Sequence, residues 1–238
     1  MLTTSESLLV HSIEQFLTPM ECQAICDAVD RQITADGRAA FEGERAVSVH
    51  AVDGMSTRDV MELYEPAGRL ELFPLPVGAT TVLDEAARRA LPHLRSLFPS
   101  GRRLTSWIYL EYGVGQYITP HIDMPFDETD PDHVKVAGVS ITLNDGFSGG
   151  DFVVETCGSP DLWEEPTDEP RSLPEGDGLR RVREGADHTT QWYKALPRTR
   201  WRTRMAAGGL VMFGSQLSHS TEPVTHGRIK KVIGFFTN

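Results

Sequence analysis

From Leu104 onward the chain is built of short runs, each closed by Gly, Pro, Asn or Asp. They are Leu104 to Tyr112, Gln116 to Asp123, Val134 to Leu143, Asp151 to Thr156, Leu210 to Phe213, His219 to Val224 and Arg228 to Phe236. Side chains alternate across a strand with period two, so short runs broken this often suit an all-β sandwich or barrel. The expected fold is mainly β with flanking helices. The first hundred residues supply the helices. Thr18-Pro19-Met20-Glu21 combines an N-cap hydroxyl, a proline at the first helical position and Glu at the third, and Ile25, Val29 and Ile33 follow at helical spacing. These signals predict a helix over 19–33. A second helix is expected over 81–98, where Leu83, Ala87, Ala90, Leu91, Leu94 and Leu97 mark one face and Pro92 predicts a kink or break. Ser7 to Phe16 reads as a strand, and residues 34–60 as loop with a short strand at 46–52.

No internal repeat divides the chain. Residues 1–238 are read as one domain, with a helical support region at 1–100 and a β core at 101–238 that carries an insertion at 157–204. The insertion is rich in Pro, Gly and acidic residues, and a connection of that length is expected to be a lid or binding loop. Lys and Arg number 23 against 34 Asp and Glu, a net charge of -11. That balance argues against nucleic-acid and anionic-membrane partners, which need a basic field. No apolar run approaches the roughly 20 residues that span a bilayer. The first residues lack the basic and apolar regions of a secretory signal, and three cysteines make no disulfide framework, so a cytoplasmic location is expected. The oligomeric state is left open.

Chemistry concentrates at three positions. His121 and Asp123 stand two apart in Tyr117-Ile118-Thr119-Pro120-His121-Ile122-Asp123, so on a strand both point to one face. His219, in Ser215-Gln216-Leu217-Ser218-His219, would add a third ligand from a neighbouring strand. Two imidazoles and one carboxylate on one face of an octahedral metal leave three open positions, which suits non-heme Fe(II) and its reaction with oxygen. Arg228 lies nine residues after His219, beyond a Pro-Val and a His-Gly stretch that reads as strand, turn, strand. A guanidinium returning there can hold a carboxylate bidentately, as a cosubstrate that chelates metal at its other end would need. His11, His50, His93, His133 and His188 have no partner at ligand spacing, and His226 reads as a turn residue. No phosphate-binding glycine loop or nucleophile elbow occurs.

With these residues the chain resembles the 2-oxoglutarate and Fe(II)-dependent oxygenases of the prolyl 4-hydroxylase-like superfamily, over about residues 104–156 and 205–238. Tyr112-Gly113-Val114-Gly115, Leu143-Asn144-Asp145, Gly149-Gly150-Asp151-Phe152, Gly208 to Phe213 and Val232 to Phe236 match as well. The resemblance implies a double-stranded β-helix (jelly-roll) core with N-terminal helices packed on it. It implies Fe(II) at His121, Asp123 and His219, and 2-oxoglutarate held by Arg228. It also implies O2 as the oxidant, with ascorbate as a supporting reductant. The family commonly has a Tyr three residues before its first His, whereas Tyr117 stands four before His121. A bulge at Pro120 would absorb the shift, and Tyr112 is then expected to line the cosubstrate pocket. Related halogenases replace the carboxylate ligand by a small residue, so Asp123 implies hydroxylation, or else desaturation or cyclisation.

The expected substrate is a small molecule such as an amino acid or natural-product intermediate. Arg198, Arg200, Arg202 and Arg204 alternate with Trp201 on the other face. Arg200 and Arg202 are read either as a cationic wall for an anionic substrate or as a solvated face paired with the acidic insertion. Tyr117 and Trp192 are further candidates to touch substrate, Trp192 from the lid. The rival readings are a peptidyl or protein hydroxylase with its groove at 157–204, a non-catalytic 2-oxoglutarate-binding regulatory module, and a cupin-type isomerase that would not need Arg228.

Overall fold

The computed structural model describes residues 5–42, 54–123, 126–127, 130–157 and 198–238. The expected strand at 46–52 and most of the 157–204 insertion, Trp192 included, lie outside them. The described helices are α1 (Pro19–Asp36), α2 (Thr57–Tyr64) and α3 (Val77–Leu97). The strands begin with β1 (Val10–Ile13), β2 (Leu70–Leu72), β3 (Arg103–Tyr112), β4 (Ile118–His121), β5 (Phe126–Asp127) and β6 (Asp130–Thr142). They continue with β7 (Ser148–Gly149), β8 (Phe152–Cys157), β9 (Arg198–Thr203), β10 (Leu210–Gly214), β11 (Ser218–Thr221), β12 (Val224–His226) and β13 (Ile229–Thr237).

The capping box predicted for α1 is present. Glu21 N–H donates to Thr18 Oγ1 over 3.2 Å, and Thr18 N–H donates back to the Glu21 carboxylate over 2.8 Å. The helix α3 runs on through Pro92, so of the kink or break expected there the break does not occur. Proline removes one N–H, but Pro92 lies on the exposed side, where water can take up the carbonyl left over. The helix α2 replaces part of the expected loop. Its signal is a compact capping box, Ser56 with Asp59, followed by Val60 and Tyr64 four residues apart and both buried.

Two sheets carry the core. The larger runs β1-β10-β6-β13-β3-β2, with β5 on β6; the smaller runs β4-β11-β8-β9, and β12 pairs with β7 apart from both. Helices α1 and α3 cover one face of the larger sheet, where Ile25, Val29, Leu83 and Leu94 pack on Tyr109, Ile141, Met212 and Val232. On its other face Val211 and Phe213 of β10 meet Phe152 and Val154 of β8, and Leu110, Tyr112 and Phe235 meet Ile118 of β4. The two sheets therefore face one another across an apolar layer, the arrangement of a jelly roll, and each fully buried aliphatic or aromatic side chain in it contributes about 1.5–3 kcal/mol. Strand β13 sits centrally, paired with β3 on one side and β6 on the other. Its alternation divides the layers: Val232 and Phe236 turn to the helices, while Ile229, Ile233 and Phe235 turn inward between the sheets.

Candidate active site

The strands β4 and β11 lie side by side with His121 directly opposite His219, and Asp123 follows two residues beyond His121. One ligand atom from each of the three lies within 4.8 Å of the others. The Nε2 atoms of His121 and His219 are 3.9 and 3.8 Å from Asp123 Oδ1. Each imidazole is oriented by its own backbone: His121 Nδ1 is 2.8 Å from the Thr119 carbonyl and His219 Nδ1 is 3.1 Å from that of Leu217. A carbonyl only accepts, so each Nδ1 carries the proton and each Nε2 turns its lone pair toward Asp123.

The surroundings keep both rings neutral. His121 and His219 are 3% and 7% exposed. The Phe213 ring lies 4.1 Å from that of His219, Phe152 stacks beyond it at 5.8 Å, and Tyr64 meets His121 edge-on at 5.6 Å. Burial pushes the imidazolium of His121 down to about 3 and that of His219 down to about 4. Burial likewise raises the Asp123 carboxyl above the usual range, against the opposing pull of His121 and Lys135. Two neutral nitrogen donors and one carboxylate, drawn together and desolvated, form a donor set for a divalent cation, whose charge offsets the cost of burying the carboxylate. Gly138 of β6 makes room for it. A Cβ at that position would fall 2.5 Å from the Phe213 ring and 2.9 Å from Asp123 Oδ2.

A cavity opens between the sheets from these three residues. Its walls include Tyr64, Tyr112, Ile118, Ser140, Phe152, Phe213 and Phe235, and the charged side chains Arg69, Lys135 and Lys231. Lys231 is 3% exposed, and its ammonium donates to Thr221 Oγ1 over 3.4 Å. Burial lowers it to about 8. Arg69 is fully buried; it donates to Tyr112 Oη over 2.9 Å and to the Glu71 carboxylate over 2.7 Å, and its Nε lies 3.2 Å from Glu65.

Tyr112, expected to line a cosubstrate pocket, is in the cavity wall. Four other expectations fare differently. Arg228 does not line the cavity. It is 47% exposed and pairs with the buried Glu111, which Arg38 also reaches. The reason is strand parity: Lys230 is paired with Glu111, Arg228 is two residues earlier on the same side, and Lys231 faces the opposite side. Tyr117 is also outside. The register between β4 and β11 passes from His121–His219 to Ile118–Thr221, three residues against two, so β4 is bulged next to Pro120. The bulge puts Ile118 on the His121 side and turns Tyr117 away. Arg200 and Arg202 share the opposite face of the smaller sheet from His219, because His219 is paired with Val154 and Val154 with Trp201. Arg200 Nε is 3.1 Å from Glu155, and the Arg202 guanidinium is 3.0 Å from Glu222. They are ion pairs with residues outside the acidic insertion; the insertion's own acidic residues lie outside the described residues. Trp192 lies outside the described residues.

Sequence reasoning missed Lys231, Arg69, Tyr64 and Gly138. For Lys231 a signal existed, since it is the one charged member of the inward series Ile229, Lys231, Ile233, Phe235. The pattern Glu65, Arg69, Glu71 around a buried guanidinium gives no comparable sign.

No protein-family model and no curated protein matches the chain. Solved structures do. A viral collagen prolyl hydroxylase from Paramecium Bursaria Chlorella virus-1 superposes with a TM-score of 0.54 at 13% identity, covering 99% of both chains. A prolyl-4-hydroxylase from Pseudomonas putida gives 0.55 at 14% identity over 97% of this chain and 92% of its own. The non-heme alpha ketoglutarate dependent carbocyclase SnoK from nogalamycin biosynthesis gives 0.55 at 13% identity over 97% and 80%. At such identities the likeness speaks for the fold. The chain has the jelly-roll fold found in prolyl hydroxylases and their alpha-ketoglutarate-dependent relatives.

Proposed function

We propose that this chain is an Fe(II)- and 2-oxoglutarate-dependent dioxygenase that hydroxylates an unactivated C–H bond of a small molecule, an amino acid or natural-product intermediate. One observation supports the reading above others: two oriented, neutral imidazoles and a carboxylate converge at a cavity that also holds a buried ammonium. His121, Asp123 and His219 would hold the iron, and Lys231 with Thr221 would hold the distal carboxylate of 2-oxoglutarate. Bound together, iron and 2-oxoglutarate supply the oxidising power, because oxygen is reduced as 2-oxoglutarate loses CO2 to become succinate.

The chain's own residues do the rest. The backbone carbonyls of Thr119 and Leu217 fix both imidazole tautomers, so no proton has to leave before the metal binds. Arg69 donates to Tyr112 Oη and so leaves the hydroxyl proton of Tyr112 available to an oxygen in the cavity. Phe152, Phe213, Ile118 and Phe235 keep the walls apolar and water out, which protects a strong oxidant from side reactions.

An assay of succinate formation tests this function. With Fe(II), 2-oxoglutarate and ascorbate under air, succinate is expected to rise when amino acids or small natural-product scaffolds are added. A rise with peptides alone would move the activity to peptidyl hydroxylation, the rival that the collagen prolyl hydroxylase likeness favours. Cosubstrate binding without succinate would make the chain a binding module. Affinity for 2-oxoglutarate should also depend on pH in a set direction. Its distal carboxylate needs Lys231 protonated, and burial lowers that ammonium to about 8. Affinity is therefore expected to be highest at pH 7 or below, to fall about twofold by pH 8, and to fall by about tenfold or more by pH 9.5. Calorimetry at the two ends checks it.

A further inference from the structure

Away from the cavity, the fold brings together two histidines that the sequence keeps far apart. His11 of β1 and His93 of α3 are separated by 82 residues, yet their Nε2 atoms lie 3.1 Å from one another and their ring centres 5.1 Å. Packing fixes both positions. His11 is paired with Met212 of β10, whose side chain belongs to the helix-side core, so strand parity turns His11 toward the helices. Leu9 and Ile13, two residues to either side, pack on the same core. His93 precedes Leu94, which is fully buried and holds that turn of α3 against the sheet. The imidazoles therefore meet at the rim of the fold, where the edge strand of the larger sheet reaches α3, with His11 half-buried and His93 exposed.

As a hydrogen-bonded pair the two rings gain little. One Nε2–H donates to the other Nε2, a single bond between neutral groups that water replaces at small loss. The same separation suits a shared ligand better. Two nitrogens bound to one ion at ~2.0–2.1 Å lie about 2.9–3.4 Å apart for bond angles from ~90° to ~110°. The observed 3.1 Å falls inside that range. Moving the donor's proton to its Nδ1, where water accepts it, leaves a lone pair on both Nε2 atoms without any shift of backbone. Partial burial and the neighbouring His93 hold His11 below the ordinary imidazole range, so His11 is neutral at pH 7. The donor set also selects the ion. Among the described residues no third His, Cys, Asp or Glu joins the pair. Two imidazoles without carboxylate or thiolate suit the late divalent ions, Zn(II), Ni(II) and Cu(II), over Mg(II) or Ca(II), and water fills the other positions.

We propose that His11 and His93 form a second metal site, separate from the triad, which takes Zn(II) and clamps the edge strand β1 to α3. The proposal stands independently of the oxygenase reading. The clamp bears on the sheet that supports the triad: Val10, next to His11, is paired with Phe213, whose ring packs on His219.

The test dialyses the full chain to equilibrium against Zn(II) and counts the metal bound. H219A removes one ligand of the triad, so the metal it keeps reports on the pair. The wild type is expected to bind two equivalents and H219A one. That remaining equivalent should bind about tenfold or more weakly in H93A/H219A and in H11A/H219A. H93A and H11A in the otherwise wild-type chain repeat the comparison with the triad intact. Thermal melts give a second readout. Without metal, H93A/H219A should melt with H219A, because an exposed hydrogen bond is all that it loses. With Zn(II) only H219A should melt higher, since an ion that binds the folded pair alone stabilises the fold. Zn(II) binding that is equal in H219A and both double variants, or a rise in melting temperature that survives both replacements, would overturn the proposal. Loss of one equivalent in H219A with none in H93A or H11A would leave the triad standing and sink the second site alone.

Discussion

Replacing Lys231 by Met is expected to weaken 2-oxoglutarate binding by about 30-fold or more, while replacing Arg228 by Ala leaves it within about threefold. Removing one partner of a buried, hydrogen-bonded charge pair costs roughly 2–5 kcal/mol, and each 1.4 kcal/mol is about a factor of ten in affinity. Lys231 meets the condition, being buried in the cavity wall with Thr221 as its hydrogen-bond partner. Arg228 does not, because its guanidinium is half exposed and bound to Glu111 on the other side of the sheet. Its loss should be felt as stability instead, since Glu111 is buried and would lose one of its two arginines, keeping Arg38 and the hydroxyl of Tyr109 among the described residues. Calorimetric titration of the metal-loaded proteins with 2-oxoglutarate, beside thermal melts, separates the two outcomes. A large loss of affinity in Arg228→Ala with none in Lys231→Met would reverse the assignment.

The second large effect is expected from the smallest change. Gly138→Ala should cut Fe(II) affinity by about tenfold or more and lower stability by roughly 1–3 kcal/mol, the usual cost of overpacking a filled interior. Gly138 does not have a positive φ, so the backbone tolerates alanine and the effect is steric. The added methyl would meet the Phe213 ring at 2.5 Å and Asp123 Oδ2 at 2.9 Å, so both must move. Phe213 in turn packs on the His219 ring at 4.1 Å, and the disturbance reaches two of the three ligands at once. Metal titration of Gly138→Ala, with circular dichroism to confirm the fold, reads it. Undiminished affinity would mean that the Asp123 carboxylate is not held where the structure has it.

The sequence was most legible where the relevant spacing was short. His121 and Asp123 stand two residues apart, and although β4 ends at His121 the Asp123 carboxylate still turns to its side, while the α1 cap rests on a four-residue pattern. Tyr112 also followed from local spacing. The anchor proposed for the cosubstrate was harder to read for a definite reason. Arg228 and Lys231 are an odd number of residues apart, so they cannot share a face of one strand, and the choice belongs to the register of β13 against β3. That register pairs Lys230 with Glu111, which leaves Lys231 pointing inward. Bulges acted twice in the same way. The one beside Pro120 removed Tyr117 from the site, and the one at Val136 brought Lys135 into it. A one-residue insertion in one strand is invisible until its partner is known. Arg69 was hidden for another reason: a guanidinium is ordinarily read as surface, and only the fold brings Glu65, Glu71 and Tyr112 around it.

The central claim is that His121, Asp123 and His219 hold an iron to which 2-oxoglutarate chelates. The most direct measurement is an anaerobic titration of the metal-free protein with Fe(II) and 2-oxoglutarate, following the weak visible charge-transfer band of the chelate. The wild type should develop the band at one equivalent of iron, His219→Ala should not, and Lys231→Met should need far more 2-oxoglutarate to reach it. A folded, iron-loaded wild-type protein that shows no band with 2-oxoglutarate would contradict the claim.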